Sequence, residues 1–340
     1  MSLTILRSPE EWTARFGAGR TVLSIGNFDG LHLGHQKILQ TVLARARAAV
    51  QTAAAVTFDP HPMKLLRPDN APRMIETLSQ RLAGFQQIGL DAGLVLRFDR
   101  ELSLLSPEDF ILRILIERLH VAAILVGANF CFGHRGAGNV QMLAQFGKEH
   151  GFDVETISPV EVAGIVVSST AVRNAVAEGR VGEAVPLLGH PFSLTGDIRA
   201  GAGRGRTILF PTLNLVPEQE LLPRLGVYAT ETIIRRAPVV GGLKVKPAPG
   251  GARTRVEGNV FRAVTNVGTR PTFDGRGVTV ESHLFGFDEQ ISSGAIEVRF
   301  HARLRDERKF SGAEELRAQI ARDIVAAREY FGEHGRESQI

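Results

Sequence analysis

The chain has a single cysteine, Cys131, among 340 residues. No internal disulfide can form, so a reducing, cytoplasmic setting is expected. Nothing in the sequence places a base beside Cys131, which therefore reads as a small buried hydrophobe rather than a nucleophile. The first ten residues, Met1 to Glu10, lack the apolar stretch of a secretory leader. No apolar run approaches bilayer-spanning length, so no membrane partner is expected. No internal repeat is found. Basic residues are not concentrated either: the net charge is only +4, with local excesses around residues 199–206 and 235–255. That dispersal argues against a nucleic-acid partner and suits small anionic substrates.

What is abundant points to a globular protein with many turns. Hydrophobic residues make up 44% of the chain and charged residues 22%, enough for a sizeable core. The 36 glycines fit tight turns and ligand loops. A length of 340 residues suggests two domains.

Residues 20–160 alternate strand-like and helix-like segments. Strands are expected at 21–25, 53–58, 92–98, 122–127 and 153–157, and helices at 36–49, 76–88, 108–119 and 140–150. Ser106, Pro107 and Glu108 form a good helix start. Apolar strands separated by helices imply a parallel sheet covered on both faces. The pattern changes near Pro186 and Gly189-His190-Pro191. Beyond them strands dominate, at 193–198, 226–234, 261–267, 278–285 and 296–303, with one helix at 312–330. This reads as a small antiparallel barrel with a C-terminal helix. The expected domains are 1–186 and 187–340.

The most informative stretch runs from Gly26 through Asn27, Phe28, Asp29, Gly30, His32 and Gly34 to His35. It joins the first of these strands to a helix. Glycines let the backbone approach a ligand, and a helix N-terminus favours an anion. Two imidazoles there can stabilise charge during a phosphoryl-type transfer. Asp29 and the amide of Asn27 or Phe28 are expected near the same nucleotide.

A second element, Ser168-Ser169-Thr170 followed by Arg173, precedes a helix through Glu178. Alone it is an ordinary helix cap with a solvated arginine. Beside the histidine turn it reads as a phosphate site. The loop Gly127 to Gly133 carries Asn129, Phe130, Cys131 and Phe132. Its aromatics either grip a planar ring or form a core edge, and both readings stay open.

The second half holds a glycine-rich loop with Gly203 and Arg206, a phosphate cradle that is weak by itself. It runs into Phe210-Pro211-Thr212-Leu213-Asn214. Thr212 and Asn214 alternate onto one face, and their oxygens suit Mg²⁺ held through a nucleotide. Glu281 lies in a β-rich apolar run. It is either an exposed strand residue or a general base for a hydroxyl. His283 shares its face and reads as structural.

The two halves together resemble the bifunctional prokaryotic riboflavin kinase/FAD synthetase family over roughly residues 15–332. GNFDGLHLGHQ, TFDPHP, VGANFCFG and VSSTAVR resemble the FMN adenylyltransferase module, of the HxGH nucleotidylyltransferase type. GRGRTILFPTLN, GVYAT, NVGTRPTF, VESHLF and LRDERKF resemble the riboflavin kinase module. The resemblance implies two reactions: ATP phosphorylates riboflavin to FMN, then a second ATP adenylylates FMN to FAD with release of pyrophosphate.

Residue by residue, the resemblance implies His32 and His35 on the ATP phosphates with the Ser168–Arg173 element. It also implies Thr212 and Asn214 at Mg-ATP, Glu281 as the kinase base, and Arg305 with the 129–132 loop at flavin. The partners implied are riboflavin, FMN and ATP, and homo-oligomerisation is left open. The chain departs from the family at Leu209, where glycine is usual, and at Asn129 and Cys131, which replace an acidic and a basic residue. The stretch 236–260 is longer than usual. Two other readings remain: one active module only, or a non-catalytic flavin- or RNA-binding regulator.

Overall fold

The computed structural model describes residues 2–199, 212–235, 245–246, 260–272, 275–287, 290–291 and 293–334. The chain divides into two compact units, Met1–Ser169 and Thr170–Ile340.

The first unit is a six-stranded parallel sheet. Its strands are β1 (Thr4–Leu6), β2 (Thr21–Ile25), β3 (Thr52–Asp59), β4 (Ala92–Arg97), β5 (Val121–Gly127) and β6 (Asp153–Ile157). The spatial order is β1-β4-β3-β2-β5-β6, and every pairing is parallel. Both faces are buried. Ala54 and Val56 join one core with Leu23, Ile25 and Leu94, while Ala53 and Ala55 join another with Val22 and Val95. This is why the strands read as continuous apolar runs.

Helix α1 (Pro9–Phe16) contributes the fully buried Trp12 to the first core. Helices α2 (Leu33–Ala49) and α3 (Leu78–Ile88) cover the other face with Leu39, Val42, Leu82 and Phe85. Ser106 caps the segment at Pro107–Asp109 as expected, but the chain continues as a π-helix over Phe110–Ile116. Strand β1 is not foreseen: three residues at a sheet edge carry too little pattern.

One expectation is overturned. Cys131 is exposed. It lies on the two-residue strand Cys131–Phe132, where neighbours point to opposite sides. Phe132 takes the inner side and is 8% exposed, so Cys131 faces out.

The second unit is a closed six-stranded barrel. Its strands are β7 (Phe192–Arg199), β8 (Leu213–Pro217), β9 (Gly226–Arg235), β10 (Val260–Thr272), β11 (Gly275–Leu284) and β12 (Ala295–Arg305), in the order β7-β8-β11-β10-β9-β12. All pairings are antiparallel. Inside, Thr230, Thr265 and Ser282 form a chain of buried hydroxyl bonds of 2.6 and 2.7 Å. The C-terminal helix α4 (Ala313–His334) packs Ile324, Ala327 and Phe331 on Val227, Ala229 and Val264. Among the described residues no helix is long and apolar enough to cross a membrane.

Candidate active sites

In the first unit the chain order reverses beside β2: β3 and β4 lie to one side, β5 and β6 to the other. Ligands of such sheets bind at this switch point, outside the carboxyl ends of the strands. The turn 26–32 follows β2 and the loop 128–133 follows β5, so both flank it.

His32 is the N-cap of α2, and its Nδ1 accepts the His35 amide at 3.3 Å. The two imidazoles stack with centroids 3.7 Å apart and planes 16° apart. Gly34 permits this, since a Cβ there would meet the His32 ring at 3.1 Å. The helix consequently starts at Leu33, three residues before the sequence suggests.

Phe28 is 2% exposed and contacts His35 and Phe85 edge-on, at 5.3 and 5.4 Å. The Asn27 carbonyl accepts the Thr57 hydroxyl at 3.3 Å. The Asp29 carboxylate, 2% exposed, accepts the amides of Ile75 and Glu76 at 3.0 and 3.2 Å. Ser169 Oγ donates to the Asp29 carbonyl at 2.9 Å.

In the barrel, Asn214 on β8 faces Glu281 on β11, which faces Asn266 on β10. Cross-strand partners share a face, so the three make one polar row on the outer surface. Ser282 and Val280, on either side of Glu281, are buried. Thr212 is exposed just before β8. Glu307 Oε1 accepts the Thr269 amide at 3.3 Å. It also occupies the space over Gly268, where a Cβ would meet it at 2.5 Å.

Comparison with known proteins matches both halves of the chain. The FAD synthetase family matches residues 17–171 and the riboflavin kinase family residues 188–331. The chain is 37% identical to the bifunctional riboflavin kinase/FMN adenylyltransferase of Escherichia coli K12, covering 92% of this chain and 93% of that one. Against the protein of the same description from Haemophilus influenzae the identity is 32%, over 91% and 94%. This chain belongs to the bifunctional riboflavin kinase/FAD synthetase family. A crystal structure from Streptococcus pneumoniae, described as a macrolide-efflux protein, is similar at a TM-score of 0.80 and 26% identity, over 96% of this chain and 99% of that one.

Within the FAD synthetase module, the structure brings His32, His35 and Gly34 together. The Phe28 ring and the Asp29 carboxylate point inward beneath a turn that has positive φ at Phe28, Gly30 and Leu31, which leaves the main chain of the turn for the expected contact of the Asn27 or Phe28 amide. Ser168 and Ser169 are half-buried, Thr170 is exposed and Arg173 is half-buried on the helix Ser169–Ala177. Asn129 is exposed and Phe130 half-buried. Phe130 stacks on Phe132 at 5.6 Å, and both pack against the core.

In the riboflavin kinase module, Arg305 grips Asp323 of α4 with two bonds of 2.8 and 2.7 Å, so its guanidinium is engaged within the protein. Gly203 and Arg206, and most of the stretch 236–260, lie outside the described residues.

Three functional-site neighbours escape sequence reasoning: Glu76, Arg81 and Glu307. Arg81 is 3% exposed and donates to Thr57 Oγ1 and the Phe58 carbonyl at 3.0 and 3.2 Å. The Glu76 amide donates to the Asp29 carboxylate, and both Asp29 and Arg81 act on the Glu76 carboxyl. Burial, and then the Asp29 charge, push its carboxyl up to about 8, with Arg81 and the Gly30 amide pulling the other way. The only sequence signal was a carboxylate and an arginine on one helical start, which reads as an ordinary surface pair.

Proposed function

We propose that this protein makes FAD from riboflavin in two steps, with residues 187–340 carrying the kinase and residues 1–186 the adenylyl transfer. It is a riboflavin kinase and FAD synthetase, a phosphotransferase and nucleotidyltransferase using ATP and flavin as substrates. The observation that carries the reading is the presence in one chain of the stacked His32/His35 pair at a sheet switch point and the Asn214–Glu281–Asn266 row on a barrel.

In the first step the riboflavin 5′-hydroxyl attacks the γ-phosphorus of ATP. Its O–H bond breaks, the proton passes to Glu281, and ADP leaves. Thr212 and Asn214 offer neutral oxygens, a donor set that fits a Mg²⁺ ion whose remaining ligands are nucleotide phosphates. Bound there, the ion would neutralise charge on the phosphates. Glu281 stands across the strand from Asn214, within reach of the same substrate groups.

In the second step a phosphate oxygen of FMN attacks the α-phosphorus of ATP, and pyrophosphate leaves. His32 and His35 donate to the phosphates as charge shifts, and the α2 N-terminus adds its dipole. Ser168, Ser169, Thr170 and Arg173 supply further donors. Asn129 and Phe130 are placed for the flavin. No covalent enzyme intermediate is needed, and positioning supplies most of the catalysis. The single exposed thiol fits a reducing, cytoplasmic setting.

The test is incubation with riboflavin and Mg-ATP, with products separated by chromatography. FMN followed by FAD is expected. FMN without FAD would leave only the kinase, and flavin binding without ADP or pyrophosphate would refute both activities.

A further inference from the structure

The turn that leads to His32 and His35 is held from beneath by a buried arginine that the two reactions do not use. Arg81 on α3 is 3% exposed, and Thr57 on β3 is fully buried. Arg81 Nη1 donates to Thr57 Oγ1 at 3.0 Å and to the Phe58 carbonyl at 3.2 Å. Thr57 Oγ1 in turn donates to the Asn27 carbonyl at 3.3 Å. The first member fixes the direction of this relay. A guanidinium only donates, so Thr57 receives from Arg81 and keeps one proton to give. The Asn27 carbonyl is the acceptor placed to take it.

What the relay holds is a peptide plane. The Asn27 carbonyl and the Phe28 amide belong to one trans peptide, in which C=O and N–H point in opposite directions. Strand β3 lies on one side of β2 and β5 on the other. A carbonyl turned to Thr57 on β3 therefore turns the Phe28 N–H toward β5, the side of the switch point where a ligand sits. That N–H donates to no carbonyl among the described residues. Phe28 has φ +49°, which a phenylalanine keeps only where its surroundings over-determine it. A half-turn flip of the peptide would return Phe28 to ordinary backbone angles and take the N–H away from the site. The hydroxyl bond opposes that flip.

We propose that Arg81 is a positioning residue for adenylyl transfer: through Thr57 Oγ1 and the Asn27 carbonyl it keeps the Phe28 amide aimed at the ATP phosphates. The inference rests on the assignment of adenylyl transfer to this turn. Without Arg81 the Thr57 hydroxyl rotates freely, and its bond to Asn27 is no longer compelled. Without the hydroxyl the Asn27 carbonyl loses its donor on β3, and the strained peptide relaxes. In both cases a backbone donor leaves the phosphates as negative charge builds on them, a loss on the order of a hundredfold in rate. Riboflavin phosphorylation, in the other unit, is untouched.

The test uses the full chain as wild type, Thr57→Val, Thr57→Ser, Arg81→Met and the double variant Thr57→Val/Arg81→Met. Valine keeps the shape of threonine without its hydroxyl, and serine keeps the hydroxyl. Asp29, Glu76 and Asp59 face the Arg81 charge. Where Arg81→Met does not fold, Arg81→Lys takes its place in the same cycle, since lysine keeps the charge but not the guanidinium's geometry. Isotope labels on asparagine carbonyl carbons and phenylalanine amide nitrogens select two peptide signals in nuclear magnetic resonance. These are Asn27–Phe28 and Asn129–Phe130, the two Asn–Phe pairs of the chain. In Thr57→Val and Arg81→Met the first signal is expected to move and the second to stay, while in Thr57→Ser both stay. Mg-ATP added without flavin is expected to shift the Phe28 amide proton in wild type and not in Thr57→Val. FAD formation from FMN should fall at least about tenfold in Thr57→Val and Arg81→Met, with KM for FMN unchanged within about twofold. Thr57→Ser should stay within about threefold of wild type, and the kinase rate should hold in every variant. Because Arg81 acts through Thr57, Arg81→Met should add less than about twofold to the loss in Thr57→Val.

Undiminished adenylyl transfer in Thr57→Val would overturn the proposal, as would fully additive losses in the double variant. Equal losses in Thr57→Val and Thr57→Ser would overturn it too, by marking an effect of packing. An Asn27–Phe28 signal that moves as expected, in a chain that makes no FAD, would uphold the hold on the peptide. That result would refute the adenylyl-transfer reading alone.

Discussion

The Arg305 guanidinium forks onto the Asp323 carboxylate, Nε to Oδ1 at 2.8 Å and Nη2 to Oδ2 at 2.7 Å. This joins the end of the last barrel strand to the middle of the C-terminal helix. The Asp323 side chain is 7% exposed and that of Arg305 21%, so solvent screens the pair only in part. Gln319 Nε2 adds a third donor to Asp323 at 2.8 Å.

The pair separates a structural role for Arg305 from a flavin contact. Asp323→Ala leaves the guanidinium without its fork and should cost roughly 1.5–3 kcal/mol in urea unfolding of the full chain. Arg305→Lys keeps the charge but not the two-pronged geometry, and should recover part of the Arg305→Ala loss. The KM for riboflavin is expected to move equally in Asp323→Ala and Arg305→Ala. A larger rise in Arg305→Ala would place Arg305 on the flavin as well.

In the proposed mechanism His32 and His35 serve adenylyl transfer only. On that reading, removing either ring takes away a donor that strengthens in the transition state, a loss of roughly 10²–10³ in rate. In His32→Ala and His35→Ala, FAD formation from FMN should drop by that factor while riboflavin phosphorylation holds. His32→Ala should also lower helix stability by about 1 kcal/mol, because His32 is the N-cap of α2. His35→Ala should not. Equal loss of both activities in a folded variant would remove these residues from the adenylyl-transfer site.

Glu281 and Asn214 face each other across β8 and β11, yet their substitution should read differently. Glu281→Gln removes the proposed proton acceptor and should lower kinase kcat by about 10²-fold or more with little change in KM for ATP. Asn214→Ala removes a neutral oxygen from the proposed Mg-ATP site and should raise KM as well as lower kcat. FAD synthesis from supplied FMN should survive in both. Near-normal FMN production by Glu281→Gln would leave Glu281 an ordinary strand residue.

Glu76 also leaves a mark on stability. Its folded value of about 8 lies above the ordinary 4.5. The unfolded chain therefore releases this proton first, and stability is lost as pH rises from about 4.5 to about 8. The linkage amounts to a few kcal/mol, on the order of 1.4 per pH unit across the window. Glu76→Gln abolishes it. The difference in unfolding free energy between variant and wild type should therefore move in favour of the variant between about pH 5 and pH 8. A difference that stays constant over that range would mean that Glu76 titrates normally.

Much of the fold was legible in the sequence, and for stated reasons. The strands 21–25 and 153–157 and the helix 140–150 fall where the pattern puts them. Doubly buried strands read as apolar runs, and glycines and caps mark their ends. The change from alternating helices and strands to strands alone announced two architectures. The histidine turn was legible because its chemistry is packed into consecutive residues.

What only the tertiary structure decided involves residues distant in the chain. Asp29 bonds an amide 46 positions away, Arg305 a carboxylate 18 away, and Asn214, Glu281 and Asn266 meet only through strand register. Local periodicity shows which side of an element is apolar. It carries no record of what that side meets. The inward turn of Asp29, the proton on Glu76 and the outward face of Cys131 follow from burial and register, which exist only once the sheet and the barrel have closed.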